Sequence, residues 1–234
     1  MLRVRILHAG EPRWGELKDD GVILLDGGTE VAADGAHWLA PAEPTKIIAV
    51  HLTYQSRLTE YQAKTPPEPS YFMKPPTTLN GHLGELRRPR GTRFLNYEGE
   101  IAVIVGREMK GVKPERVHEY VTGFAPANDV GLHDFRHADR GSMLRVKGQD
   151  GFLPLGPALV TADQWTPDGG FELTTRINGE VVQHGDGADL IWDYRYQLAD
   201  LCRVITLVPG DVVLTGTPAN SRPMDVGDVV EVEI

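Results

Sequence analysis

In the run Asn96-Tyr97-Glu98-Gly99-Glu100-Ile101-Ala102-Val103-Ile104-Val105-Gly106, five consecutive apolar residues follow two glutamates. An unbroken apolar run of this length, closed by glycine, predicts a strand buried on both faces. Residues two apart on a strand point to the same face, so Glu98 and Glu100 project into one small volume at its mouth. Two bare carboxylates there repel, and one of them stays protonated. A divalent cation removes the conflict. Oxygen ligands of this kind suit magnesium, manganese or calcium rather than zinc.

A second apolar segment, Gly123-Phe124-Ala125-Pro126-Ala127-Asn128, leads to Asp129. As a neighbouring strand it delivers Asp129 to the same rim and supplies a third carboxylate. The competing reading places the Glu pair on a solvated edge strand and lets Asp129 start a turn. Patterning by itself leaves both open, because Glu-x-Glu is common.

Further out, the chain reads as β-rich. Arg3–Leu7 and Gly21–Leu25 predict strands of a small N-terminal β subdomain, residues 1–45, bounded by Pro41 and Pro44. The main domain, 46–234, opens with a strand at Lys46–Val50 and a helix-compatible stretch, Gln55–Lys64. Pro114–Tyr120 predicts a short helix with proline in its first turn. Asn178-Gly179 between Leu173–Ile177 and Glu180–Gln183 predicts a two-residue hairpin. Tyr194, Leu198, Leu201, Cys202 and Ile205 share one helical face, predicting a helix over 192–206. Strands at Val212–Leu214 and Val229–Val232 close the chain. The sequence stops inside the last of these, so a short tail beyond it is expected. With 26 glycines and 17 prolines, the fold class is mixed, β-rich α+β.

Composition narrows the function classes. The chain has 234 residues, with 24 Lys and Arg against 33 Asp and Glu, a net charge of −9. That balance argues against a nucleic-acid binder held by a basic face. No apolar run is long enough to span a membrane. Charges interrupt the N-terminus where a signal peptide needs an apolar region. With one cysteine, Cys202, no internal disulfide is possible, so a cytoplasmic setting is expected.

Beyond these features, the chain resembles the fumarylacetoacetate hydrolase family. The matching segments are Phe72–Pro76, Asn96–Val103, Gly123–Val130, Lys147–Phe152, Pro154–Pro157 and Pro209–Pro218, in the family's order and spacing. The resemblance runs from about residue 46 to the end. It is greatest to the bacterial branch with 2-hydroxyhepta-2,4-diene-1,7-dioate isomerases and 5-oxopent-3-ene-1,2,5-tricarboxylate decarboxylases. It implies a rolled, barrel-like β-sheet, a homodimer, and Mg2+ or Mn2+ held by Glu98, Glu100 and Asp129. The implied substrate is a small anionic 2-oxo acid, chelated by a metal that acts as a Lewis acid.

Residue by residue, the resemblance sets Lys147 beside the substrate as a catalytic cation. The Thr217 hydroxyl is matched to a substrate carboxylate. His133 and Arg136 follow Asp129 by four and seven residues. Helical spacing would put them on one face near the metal, although relatives often have arginine and glutamine there. His137 and Arg140 read as solvated or dimer-facing. Hydrolytic and decarboxylating relatives carry Asn-Tyr-x-x-His-x-x-Glu on a lid. Here the stretch is Thr53-Tyr54-Gln55-Ser56-Arg57-Leu58-Thr59-Glu60, with Arg57 at the histidine position. An arginine is no base at neutral pH, but it pairs with Glu60 or clamps a carboxylate. Glu60 becomes the candidate proton shuttle. His51 and His82 read as structural or surface histidines.

The expected activity is metal-dependent isomerisation or decarboxylation of a 2-oxo or 2-hydroxydienoate dicarboxylic acid in aromatic catabolism, since neither needs a water nucleophile. Acylpyruvate or fumarylpyruvate hydrolysis is the alternative within the enzyme class. A metal- or ligand-binding protein without turnover is the alternative outside it.

Overall fold

The structure, a computed structural model, describes residues 1–234. Its first strands, β1 (Leu2–His8), β2 (Glu11–Leu17), β3 (Val22–Leu25) and β4 (Glu30–Ala32), form a meander, and β5 (His37–Leu39) returns to pair with β1. Next come β6 (Ile47–His51), α1 (Gln55–Tyr61), β7 (Ser70–Lys74), β8 (Leu79–Asn80) and β9 (Leu95–Asn96). The central pair, β10 (Gly99–Val105) and β11 (Val121–Asn128), is followed by β12 (Gly131–Leu132) and two short helices, α2 (Arg136–Asp139) and α3 (Leu144–Lys147). The chain continues through β13 (Leu153–Pro154), β14 (Ala158–Thr161), the hairpin β15 (Glu172–Ile177) and β16 (Glu180–Asp186), α4 (Tyr194–Val204), β17 (Val212–Leu214) and β18 (Val230–Glu233).

Eleven strands form one mixed sheet in the order β4-β3-β2-β1-β14-β11-β10-β17-β6-β7, with β5 also on β1. Within it β17 and β6 run parallel, and the remaining neighbours run antiparallel. The expected barrel-like closure does not occur. The N-terminal strands carry the sheet outward from β1, so β4 and β7 end the order and do not pair with each other.

Every residue of β10 is buried, as its apolar run requires. Its pleat divides the core. Ile101, Val103 and Val105 pack with Tyr194, Leu198, Leu201 and Cys202 of α4. Ala102 and Ile104 pack on the other side with Ile47, Ala49, Leu153 and Leu214. Helix α4 is shorter than expected. It starts after Asp193, whose carboxylate accepts from the Tyr196 N–H at 2.8 Å, and Ile205 lies past its end in extended backbone. Pro114–Tyr120 forms a 3-10 helix. The hairpin turn has Asn178 at φ 51° and Gly179 at φ 84°, as the two-residue turn demands. Strands β16, β15 and β18 make a second sheet. It packs so closely on β10 that a Cβ at Gly99 would collide with Thr175 Oγ1. No helix is long and apolar enough to cross a membrane.

Candidate metal centre

The register of the central pair explains why three carboxylates meet. Gly99 pairs with Asn128 and Glu100 with Ala127, so the start of β10 lies beside the end of β11. Just outside that pairing, the Asp129 N–H donates to the Glu98 carbonyl at 2.8 Å, and the Glu98 N–H donates to Asn128 Oδ1 at 2.9 Å. One ligand oxygen from each of Glu98, Glu100 and Asp129 lies within 4.8 Å of the others. The three residues are 7%, 2% and 1% exposed, which rules out the solvated-edge reading.

Buried cations surround them. Lys147 Nζ donates to Glu98 Oε2 and to the Asp129 carbonyl, both at 2.6 Å, and stands 2.9 Å from Asp129 Oδ2. Lys74 Nζ bonds Asp129 Oδ1 and the Phe152 carbonyl. Arg57 donates to Glu98 Oε1 at 2.9 Å. Burial pushes the Glu98 carboxyl up, but Lys147, His133 and Arg57 overcome it and hold that group well below the usual carboxylate range. Glu100 goes the opposite way. Burial and the Asp129 charge push it well above the usual range, and its one hydrogen bond comes from the Gly216 N–H at 2.7 Å. Lys147 is raised by Asp129 and Glu98 against burial, whereas burial wins at Lys74 and lowers it.

This donor set fits a divalent cation. It is made of oxygen only, it is buried, and Glu100 lacks a cation of its own. Lys74, Lys147 and Arg57 are paired with Glu98 and Asp129, which leaves Glu100 as the carboxylate for which a divalent ion would supply the missing positive charge.

The lid residues form a tight network. Arg57 lies on α1, buried, with its guanidinium 4.6 Å above the Tyr61 ring and 2.7 Å from Glu60. Glu60 also binds Arg222 at 2.6 Å and the Asn220 N–H at 3.3 Å. Against burial, Arg222 and Arg57 lower its pKa. A carboxylate held ionised by two guanidiniums takes up a proton reluctantly, which counts against the shuttle role read for Glu60.

His133 Nε2 is 3.7 Å from Glu98 Oε1, so it does join the triad. Arg136 does not. Its Nη2 donates to Tyr61 Oη at 3.2 Å and the residue is exposed on the rim. The single helical face expected for the two is absent: β12 and a 3-10 turn at His133–Phe135 intervene before α2 begins. Thr217 is buried, and its hydroxyl accepts from Gln183 Nε2 at 3.1 Å, leaving its own proton free to donate. His137 and Arg140 are exposed. Lys74, Arg222 and Gln183 were not singled out from the sequence. Lys74 lies inside the matched Phe72–Pro76 segment, which was the one signal available for it.

The family model described as fumarylacetoacetate (FAA) hydrolase C-terminal matches residues 46–234. The chain belongs to the fumarylacetoacetate hydrolase family. A second model, Rv2993c-like, N-terminal, matches residues 1–41. The chain is 38% identical over 230 residues to an uncharacterized protein of Archaeoglobus fulgidus, covering 98% of this chain and 90% of that one. It is 34% identical over 233 residues to the 4-hydroxyphenylacetate degradation bifunctional isomerase/decarboxylase of Salmonella dublin. That match covers 99% of this chain and 52% of the relative, so the chain spans about half of that protein's length. The solved structure of 5-carboxymethyl-2-hydroxymuconate delta-isomerase from Mycobacterium smegmatis superposes with a TM-score of 0.89 at 33% identity, covering 99% of this chain and 93% of the other. The resemblance read from the motifs is borne out.

Proposed function

We propose that the protein is an Mg2+- or Mn2+-dependent enzyme that isomerises, or decarboxylates, a 2-oxo or 2-hydroxydienoate dicarboxylic acid in the catabolism of aromatic compounds. The observation that carries this reading is Arg57. It stands where hydrolytic and decarboxylating relatives carry a lid histidine, which favours isomerisation over both, and it is committed to Glu98 and Glu60. A guanidinium activates no water. Isomerisation and decarboxylation require an electron sink and proton transfer instead. The isomerase and isomerase/decarboxylase names of similar proteins support the same reading.

Glu98, Glu100 and Asp129 would hold the metal, which when bound supplies Lewis acidity toward the substrate's 2-oxo and carboxylate oxygens. Lys147 faces the negative charge that develops as the carbonyl becomes an enolate. Thr217 donates to a substrate carboxylate. Arg57 adds positive potential at the mouth, His133 stands beside Glu98 as a hydrogen-bonding group, and Arg136 on the rim is placed for a distal carboxylate. Glu60 positions Arg57 through their 2.7 Å pair. A homodimer is part of the proposal, tested by light scattering, as is a cytoplasmic setting, which the buried free thiol of Cys202 supports.

The test uses metal-stripped protein given Mg2+ or Mn2+ and a panel of 2-oxo diacids and 2-hydroxydienoates. The enol absorbance and carbon dioxide release are followed. Metal-dependent turnover is expected, reduced by at least about 100-fold in Glu98→Gln, since metal polarisation contributes several kcal/mol. Cleavage of acylpyruvates would replace this reading by the hydrolase. Metal binding without turnover across the panel would replace it by the binding protein. Full activity in Glu98→Ala would remove the metal assignment.

A further inference from the structure

The lid is poorly suited to carry a proton, because Arg57 remains cationic and Glu60 is tied between two guanidiniums. The sheet register points to a different group. Ala102 pairs with Leu214 across β10 and β17, and Leu214 pairs with Ala49 across β17 and β6. Continued by two residues, that register sets Glu100, Gly216 and His51 in one row, and His51 pairs directly with Ser70 of β7. The 2.7 Å bond from the Gly216 N–H to Glu100 Oε2 holds the first two together. Ala49 and Ala102 lie in the same core layer, so the pleat turns His51 toward the face that carries Glu100. Gly216 places no side chain between them, and it cannot acquire one: a Cβ there would run into Thr53 Oγ1.

The surroundings of His51 suit proton transfer. Its ring packs on Phe72 at 4.6 Å, and Nδ1 lies 3.4 Å from Ser70 Oγ. A hydroxyl both donates and accepts, so it supports either imidazole tautomer and leaves Nε2 to act as base or acid. The charged groups acting on the ring are Lys147 of α3, Asp129 after β11 and Glu98 before β10. Burial and Lys147 outweigh the two carboxylates and keep the imidazole below its ordinary pKa, hence neutral near pH 7. The next residue, Leu52, is held at φ 51°, a costly conformation for leucine. The Thr53 hydroxyl donates to the Thr215 carbonyl at 2.6 Å and pins that turn.

We propose that His51 is the proton-transfer residue of this site, a role that rests on the isomerase reading above. The neutral imidazole takes a proton from the carbon beside the 2-oxo group. The C–H electron pair becomes the new C=C bond, and the carbonyl π pair moves onto oxygen, giving an enolate that faces Lys147. The imidazolium then returns the proton to the same carbon or to a carbon further along the conjugated chain. No proton, electron or co-reactant is gained or lost overall.

Exchange of the pyruvate methyl hydrogens in D2O with Mg2+, followed by proton NMR, reads this step directly. The second readout is the affinity for oxalate with Mg2+, and the third is the imidazole resonance that disappears in His51→Gln. Wild type is expected to exchange, with a rate that rises with pH through the midpoint of that resonance. His51→Gln is expected to lose about 100-fold or more of the rate and its pH dependence, with oxalate affinity changed by less than about threefold. Exchange at the wild-type rate in His51→Gln overturns the proposal. Loss of oxalate binding in that variant also overturns it, by making His51 a structural residue. A wild type that binds oxalate but exchanges nothing overturns the isomerase reading, and the proposal with it.

Discussion

Glu100 carries the least compensated charge of the triad. Glu98 has Lys147 and Arg57, Asp129 has Lys74 and Lys147, and Glu100 has the Gly216 N–H. Burial and the Asp129 charge therefore push its carboxyl well above the usual range. A metal ligand must be ionised, so bound protons compete with the metal and affinity falls as pH falls. Mn2+ affinity measured by calorimetry is expected to rise with pH, by up to about tenfold per unit while Glu100 is protonated in the free protein, and to level off once it ionises. Buffers of different ionisation heat should report proton release on binding. The same scale shows what one residue type conceals. A lysine in a sequence is read as solvated. Lys74 is completely buried because Asp129 and the Phe152 carbonyl await it, and both come from distant parts of the chain.

Elements decide how those residues are aimed. Strand β10 can turn its glutamates inward because Gly99, on the opposite face, lets β15 press against it. Gly99→Ala is expected to cost about 1–3 kcal/mol through overpacking against Thr175. A urea midpoint equal to wild type would show that the sheets separate freely there. Helix α4 covers the other face of β10 and depends on its cap. Asp193→Ala removes the bond to the Tyr196 N–H and is expected to lower stability by about 1 kcal/mol, read from the same unfolding curve. Strand and hairpin positions were legible here because period-two alternation, apolar runs and Asn-Gly are local signals. The path from Asp129 to Arg136 was not. Spacing suggested one helical face, but Gly131 and Leu132 pair with Leu95 and Asn96, and that pairing breaks any helix before it starts.

At the scale of the whole molecule, the centre joins segments that fold together only in the finished sheet. A cation that binds three strand-end carboxylates stabilises the native state alone. Mg2+ or Mn2+ at about 100 times its dissociation constant is expected to add about 2.7 kcal/mol, which for a chain of this size raises the melting temperature by roughly 5–10 °C. Excess EDTA should reverse the rise, and Glu98→Gln should abolish it. An unchanged melting temperature across the titration would count against the site.

The sequence by itself determined the buried strand at Ile101–Val105, the hairpin at Asn178-Gly179, the three carboxylates and the family, because these rest on local periodicity and on motifs in a fixed order. Only the tertiary structure decided that the sheet stays open, that Lys74 and Arg57 neutralise the triad, that Glu60 is held by Arg222, and that His51 shares a row with Glu100. Each of these depends on strand order and register. Those are fixed by packing between residues tens to more than a hundred positions apart, which no local pattern encodes.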